Sequence, residues 1–198
     1  MSAAAGRIGP NAILQVMAVL RAGPGEAACR AVLAQAGLAA YADTPPQTMV
    51  DEAQVQALHR VLREHGSVAE ARGIGRAAGL ATGDYLLAHR IPRPMRWLLP
   101  HLPATWSARV LLVAIRRHAW TFCGSGQFSA QLLRPGRVQL RLQGSATSRG
   151  VQADEPLCDY FAATFERLFQ ALVSPASRVQ EVACAAMGAP ACEFELDW

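Results

Sequence analysis

The 198-residue sequence predicts an α+β fold in a single domain, with a helical layer packed on a four-stranded antiparallel sheet. Three observations carry that expectation. Up to His118 the apolar residues recur at helical spacing between glycine and proline breaks. Beyond it the spacing shortens, with two apolar runs around Arg134-Pro135-Gly136 and two more around Met187-Gly188-Ala189-Pro190. Hydrophobic residues make up 52% against 17% charged, enough for a generous core and too apolar for disorder.

The elements follow in order. Gly9-Pro10 opens a first helix with the stripe Ile13, Leu14, Val16, Met17 and Leu20, and Gly23-Pro24-Gly25 ends it. A second helix covers residues 26–36 and stops at Gly37; Thr44-Pro45-Pro46 is a rigid connector. Helical period returns at 52–65, with Val55, Leu58, Val61 and Leu62 on one face, and at 68–89. Four prolines (Pro92, Pro94, Pro100, Pro103) punctuate the next segment before an apolar helix over 104–118. Strands are expected over 119–133 and 137–142. A helix over 157–173 follows Asp154-Glu155-Pro156, whose acids suit its positive end. A final hairpin joins 178–185 to 192–196. The helical part thus spans about 8–118 and the sheet part about 119–198, with no internal repeat and no linker.

Charge excludes some functions. All 19 cations are arginine, the net charge is +4, and no basic run or aromatic-basic interleaving resembles a nucleic-acid surface. Residues 1–6 lack the apolar core of a signal peptide. The most apolar stretch, 110–115, is far short of the ~20 residues that span a bilayer. A cytoplasmic protein is expected, with at most peripheral membrane contact. Five cysteines, an odd number, then point to thiols or metal ligands rather than disulfides.

Three of those cysteines lie near the C-terminal end. Glu181, Cys184 and Cys192 fall on the final hairpin, and Cys158 opens the preceding helix, where the dipole favours a thiolate. Three thiolates and a carboxylate suit tetrahedral Zn²⁺, and four protein ligands leave no open position, so such a site is structural. Residues 181 and 184 face opposite ways on a regular strand, so a bulge or tight turn must intervene. Buried apolar cysteines are the other reading that the spacing allows. Cys29 and Cys123 are expected to be non-ligands.

The pattern Cys158, then Glu181-Val-Ala-Cys184-Ala-Ala-Met-Gly188-Ala-Pro-Ala-Cys192-Glu-Phe194, resembles the end of the 4-vinyl-reductase domain. In aromatic-sensing regulators with this domain, three Cys and one Glu hold Zn²⁺. The resemblance implies that role for Cys158, Glu181, Cys184 and Cys192. Arg7-Ile-Gly-Pro-Asn-Ala-Ile13, Gly83-Asp-Tyr-Leu-Leu-Ala-His-Arg-Ile-Pro92 and His118-Ala-Trp-Thr-Phe-Cys-Gly-Ser-Gly126 further resemble the BchJ family of bacteriochlorophyll biosynthesis in purple phototrophs. That likeness covers nearly the whole chain. It implies a fold related to the TRAPP-type and haem-nitric-oxide-binding folds, with an apolar pocket between helices and sheet.

The family name implies a divinyl (proto)chlorophyllide 8-vinyl reductase, which needs two electrons from a cofactor. Gly73-Ile-Gly75-Arg-Ala-Ala-Gly79 has one residue too many for a dinucleotide loop and sits inside a helical pattern, which fits close helix packing instead. A reductase reading therefore requires an external electron source. A binding reading requires less: a pocket for a Mg-porphyrin or protochlorophyllide-type tetrapyrrole. Candidate walls are Trp97, Trp106, Trp120, Phe122 and Phe128, with plain core as the alternative. His118 and His89 are candidate axial ligands, or hydrogen-bonded structural residues. Arg90, Arg93 and Arg96 are candidate partners for a ligand carboxylate, or a solvated face. The expected role is an accessory protein that presents a tetrapyrrole to pathway enzymes such as Mg-chelatase or the next methyltransferase. A sensor role is least expected, since no ATPase or helix-turn-helix output is visible in the sequence.

Overall fold

The computed structural model describes residues 6–198. A two-residue strand β1 (Arg7–Ile8) pairs antiparallel with β2 (Val50–Asp51). Such short ladders leave no period to read in a sequence. Between them, α1 (Asn11–Ala22) starts at Pro10 and buries Ala12, Ile13, Val16, Met17 and Leu20. α2 (Glu26–Gln35) ends near Gly37, whose φ of +72° makes the turn that glycine tolerates.

Helices α3 (Glu52–His65) and α4 (Val68–His89) match their expected bounds because both are capped from the sequence. The Asp51 side chain accepts from the Ala53 N–H at 2.8 Å, and Ser67 and Glu70 form a reciprocal capping box. Two helices entered through prolines follow: α5 (Arg93–Leu98) and α6 (Ala104–Arg117), joined by a 3₁₀ turn over Leu99–His101.

The expected strand over 119–133 is corrected in its first half. Residues Trp120–Cys123 form a one-turn helix, α7, and β3 (Gln127–Arg134) begins only after Gly124, at φ +59°. The alternation Trp120, Phe122 imitates a strand. Tertiary contact decides otherwise: the Thr121 carbonyl accepts from the Gly9 N–H at 2.7 Å, tying the turn to the N-terminal segment.

β3, β4 (Arg137–Gln143), β5 (Arg178–Ala183) and β6 (Cys192–Asp197) make an antiparallel sheet in the order β3-β4-β6-β5. The fold is α+β, as expected. α8 (Asp159–Leu172) runs between the sheet and α4, and ten of its fourteen residues are buried. Its contact with α4 is a glycine seam. A Cβ on Gly79 would stand 2.2 Å from the Tyr160 carbonyl oxygen, and one on Gly83 would stand 2.7 Å from the Arg167 side chain. Those glycines let the two helix backbones approach closely. Arg72–Asp159, Arg76–Glu166 and Arg167–Asp84 ion pairs flank the seam.

The space between helices and sheet is filled by aromatic rings. Phe122, Phe128, Phe161, Phe165 and Phe194 pack with ring centroids 5.3–6.3 Å apart. Hence the enclosed apolar cavity expected there is occupied by the chain's own side chains. The surface carries open depressions instead. The larger, about 700 Å³, is lined by residues 150–154 and 185–188. Among the described residues, no helix is long and apolar enough to cross a membrane.

Candidate metal centre

Cys158, Glu181, Cys184 and Cys192 come together, with one ligand atom from each lying within 4.8 Å of the others. Three elements deliver them. Cys158 immediately precedes α8, Glu181 lies in β5, Cys184 follows β5, and Cys192 starts β6. The irregularity that the spacing demanded is present: the β5–β6 register shifts between Glu181 and Ala183. After it, Cys184 leads into a 3₁₀ turn closed by Gly188 at φ +91°, which returns the chain to Cys192.

The donor set fits a tetrahedral ion. The Cys158 and Cys192 sulfurs are 3.3 Å apart, and those of Cys184 and Cys192 are 4.0 Å apart. Zn–S bonds of about 2.3 Å in tetrahedral geometry put sulfurs roughly 3.7 Å apart. Glu181 Oε2 accepts from the Cys158 backbone N–H at 2.8 Å, while the buried Oε1 has no hydrogen-bond partner among the described residues. An unsatisfied buried carboxylate oxygen beside three thiols is costly unless a cation takes its lone pair.

Electrostatics agree with geometry. Burial, followed by the Cys184 thiol, pushes the Glu181 carboxyl up to about 8. Hydrogen bonding from Cys158 and Cys184 brings the Cys192 thiol down to about 4. Cys158 moves the other way, well above the ordinary thiol range, because the neighbouring Cys184 and Cys192 sulfurs draw on its proton and burial adds to this. That corrects the expectation of a lowered Cys158: two adjacent sulfurs outweigh a helix dipole. Without a cation the four groups cannot all ionise; with one they can.

The surroundings of the sulfurs were not read from the sequence. Ser148 Oγ lies 3.3 Å from Cys192 Sγ, Thr147 Oγ1 lies 3.5 Å from Cys158 Sγ, and the Ala185 N–H donates to Cys192 Sγ at 3.5 Å. Ser145, Thr147 and Ser148 are all nearly fully buried. The signal was there in a Ser-Ala-Thr-Ser run that looks like a solvated loop. Arg63, on α3, is a further addition. Its Nη2 is buried without a hydrogen-bond partner among the described residues. Burial lowers its guanidinium, and the charges of Cys158 and Cys184 oppose that shift. Three thiolates and a carboxylate around a dication carry net negative charge, which a nearby guanidinium offsets. Cys29 and Cys123 are buried elsewhere, and burial alone pushes the Cys123 thiol up to about 12.

The residues expected around a ligand do not converge in this way. Trp97, Trp106 and Trp120 are 70%, 64% and 62% exposed, on the outside of α5, α6 and α7. Phe122 and Phe128 belong to the interlayer aromatic cluster. His89 is exposed and stacks on Tyr85 at 4.7 Å. His118 is exposed at the end of α6, with Nδ1 2.8 Å from the Ala114 carbonyl oxygen. Arg90 and Arg93 are exposed and Arg96 half-buried.

Comparison with known proteins agrees with this arrangement. Residues 138–197, which contain the whole four-donor set, match the 4-vinyl-reductase domain. The sensory domain of the phenol-responsive activator PoxR superposes with a TM-score of 0.56 at 19% identity, covering 75% of this chain and 74% of that one. An unliganded Fe(II) H-NOX protein from K. algicida superposes at 0.63 with 8% identity, covering 96% of each chain. The fold is therefore shared with the PoxR sensory domain and with H-NOX proteins. Over its whole length the chain is 48% identical to the bacteriochlorophyll synthase 23 kDa chain of Cereibacter sphaeroides, covering 98% of this chain and 92% of that protein. It is 42% identical to the protein of the same name from Rhodobacter capsulatus, covering 96% and 86%. The chain belongs to the family of the bacteriochlorophyll synthase 23 kDa chain, BchJ.

Proposed function

We propose that this chain is an accessory protein of bacteriochlorophyll biosynthesis. It binds a Mg-porphyrin or protochlorophyllide-type tetrapyrrole and presents it to a pathway enzyme, Mg-chelatase or the next methyltransferase being the candidates. The observation that carries the reading is near full-length similarity to proteins named as a chain of bacteriochlorophyll synthase. The fold supports it, since H-NOX neighbours of TM-score 0.58 and 0.61 are titled for haem and porphyrin distortion.

Zn²⁺ is the metal proposed for Cys158, Glu181, Cys184 and Cys192. Bound there, it would tie the start of α8 to the β5–β6 hairpin with no position open to substrate, so its contribution is stability. His118 is the better axial candidate of the two histidines. A hydrogen bond from Nδ1 to the Ala114 carbonyl fixes the tautomer that leaves an Nε2 lone pair free for Mg²⁺. Phe122 and Phe128, at the seam between helices and sheet, would have to part to admit a flat macrocycle, with Arg90, Arg93 or Arg96 meeting its carboxylate.

The test is titration of purified protein with Mg-protoporphyrin and divinyl protochlorophyllide, with and without NADPH. A shifted or sharpened Soret band that weakens in His118→Ala supports the carrier reading. No spectral change at micromolar tetrapyrrole would refute it, and vinyl reduction by the pure chain would put an 8-vinyl reductase in its place.

A further inference from the structure

α6 is amphipathic in an unusual sense. Ser107, Ala108, Leu111, Leu112 and Ile115 face the core. The stripe opposite them, at helical spacing, is Trp106, Val110 and Val113, which are 64%, 44% and 49% exposed. The middle of the solvent face is thus apolar. Trp97 and Leu98 at the end of α5, and Trp120 on α7, add exposed apolar surface on the elements that flank α6.

Charge on the same elements is of one sign. Between Asp84 and Asp154 the sequence has ten arginines and no acidic residue. Arg137, Arg141 and Arg149 pair with acids from other elements. Arg90, Arg93, Arg96, Arg109, Arg116 and Arg117 form no ion pair among the described residues.

We propose that the α5–α7 face docks the protein on an anionic bilayer surface, with the tryptophans and Val110/Val113 in the interfacial layer and the arginines on lipid phosphates. Tryptophan suits the depth where one edge is apolar and the other wet, and arginine lays its stem on apolar surface while its head stays in the polar layer. A second copy would set six arginines against six, so self-association through this face is disfavoured. An acidic protein partner is the alternative, but neither surface depression lies in α5–α7 to seat such a partner's anchor residues, and a bilayer needs none. The inference requires no tetrapyrrole and stands apart from the carrier reading.

Ligand-free full-length protein floated with phosphatidylcholine vesicles containing about a third phosphatidylglycerol tests this. Partition is expected on the anionic vesicles at low salt, to fall as salt rises, and to be near background on phosphatidylcholine alone. Trp106→Ser with Val113→Ser, and separately Arg109→Gln with Arg116→Gln and Arg117→Gln, should each weaken it at least about tenfold. All five positions are exposed, so an unchanged thermal midpoint confirms that the variants fold. No partition, or partition indifferent to both sets, overturns the proposal. Retention on immobilised polyglutamate without vesicle binding overturns it as well and assigns the face to an acidic protein.

Discussion

At the β5–β6 hairpin four donor side chains are buried and turned toward one another, whereas on α5–α7 three tryptophans and six arginines face outward and meet nothing from the chain itself. Both regions hold the chemistry that a sequence reading singles out, yet they solve opposite problems. The hairpin has removed charge-bearing groups from water and left one carboxylate oxygen unsatisfied, which a bound cation would repair. The helical face has left apolar rings in water, which a partner surface would repair. Clustered residue types therefore mean a built site only when backbone register converges them. Here a bulge, a glycine turn and a helix start do that for the cysteines.

The largest effect expected from breaking the contrast is at the hairpin. Cys184→Ser should release the metal and cost more than about 4 kcal/mol in urea unfolding, because metal binding free energy is folding free energy. Trp106→Ser on the other face should leave the unfolding midpoint within about 0.5 kcal/mol of the parent. Equal effects would erase the distinction between the two regions.

Next comes the glycine seam. Gly79→Ala sets a methyl against the Tyr160 carbonyl and the Ala163 Cβ and should cost about 3 kcal/mol, whereas Gly73→Ala, with nothing within 4 Å, should gain about 0.5–1 kcal/mol from helix propensity. Chemical denaturation of both variants measures the difference directly.

Acid should expose two buried groups in separate windows. His59 lies against Tyr160, and burial, reinforced by Arg63, lowers its imidazole to about 4. The unfolded chain binds this proton first, so stability present above about 6.5 is lost as pH falls toward 4, by at most about 3 kcal/mol. His59→Phe should flatten that part of the profile. Burial also works against the Glu52 carboxylate, but hydrogen bonds from Arg149 and from the side chain and backbone of Ser125 outweigh it and bring the group down to about 2. Its contribution is complete above about 4.5 and is lost between there and 2; Glu52→Gln should remove that second fall. The smallest effect expected is at Arg30–Asp43, an exposed pair whose loss should change stability by less than about 1 kcal/mol.

Where caps and breakers sit next to periodic runs, the sequence was sufficient: α3 and α4 start and stop as expected because Asp51, Ser67 and Gly66 act locally. It misled at Trp120 and Phe122, where two alternating aromatics imitate a strand and a hydrogen bond from Gly9 selects a helical turn. The four hairpin donors were legible because thiols and one acid recur within a short segment. Ser148, Thr147 and Arg63 were not, since their proximity to the sulfurs is set by how a loop and α3 pack, which no local pattern encodes. The aromatic residues between Trp97 and Phe128 read as pocket walls from composition alone. Only tertiary structure separates the rings that fill the interlayer core from those that stand on the surface.

The claim that the hairpin is a metal centre is tested most directly by zinc analysis and X-ray absorption on protein purified without chelators. The account predicts about one zinc per chain, with three sulfurs near 2.3 Å and one oxygen near 2.0–2.2 Å. Metal-free, stably folded protein, or zinc that persists with unchanged ligation in Cys184→Ser, would contradict it.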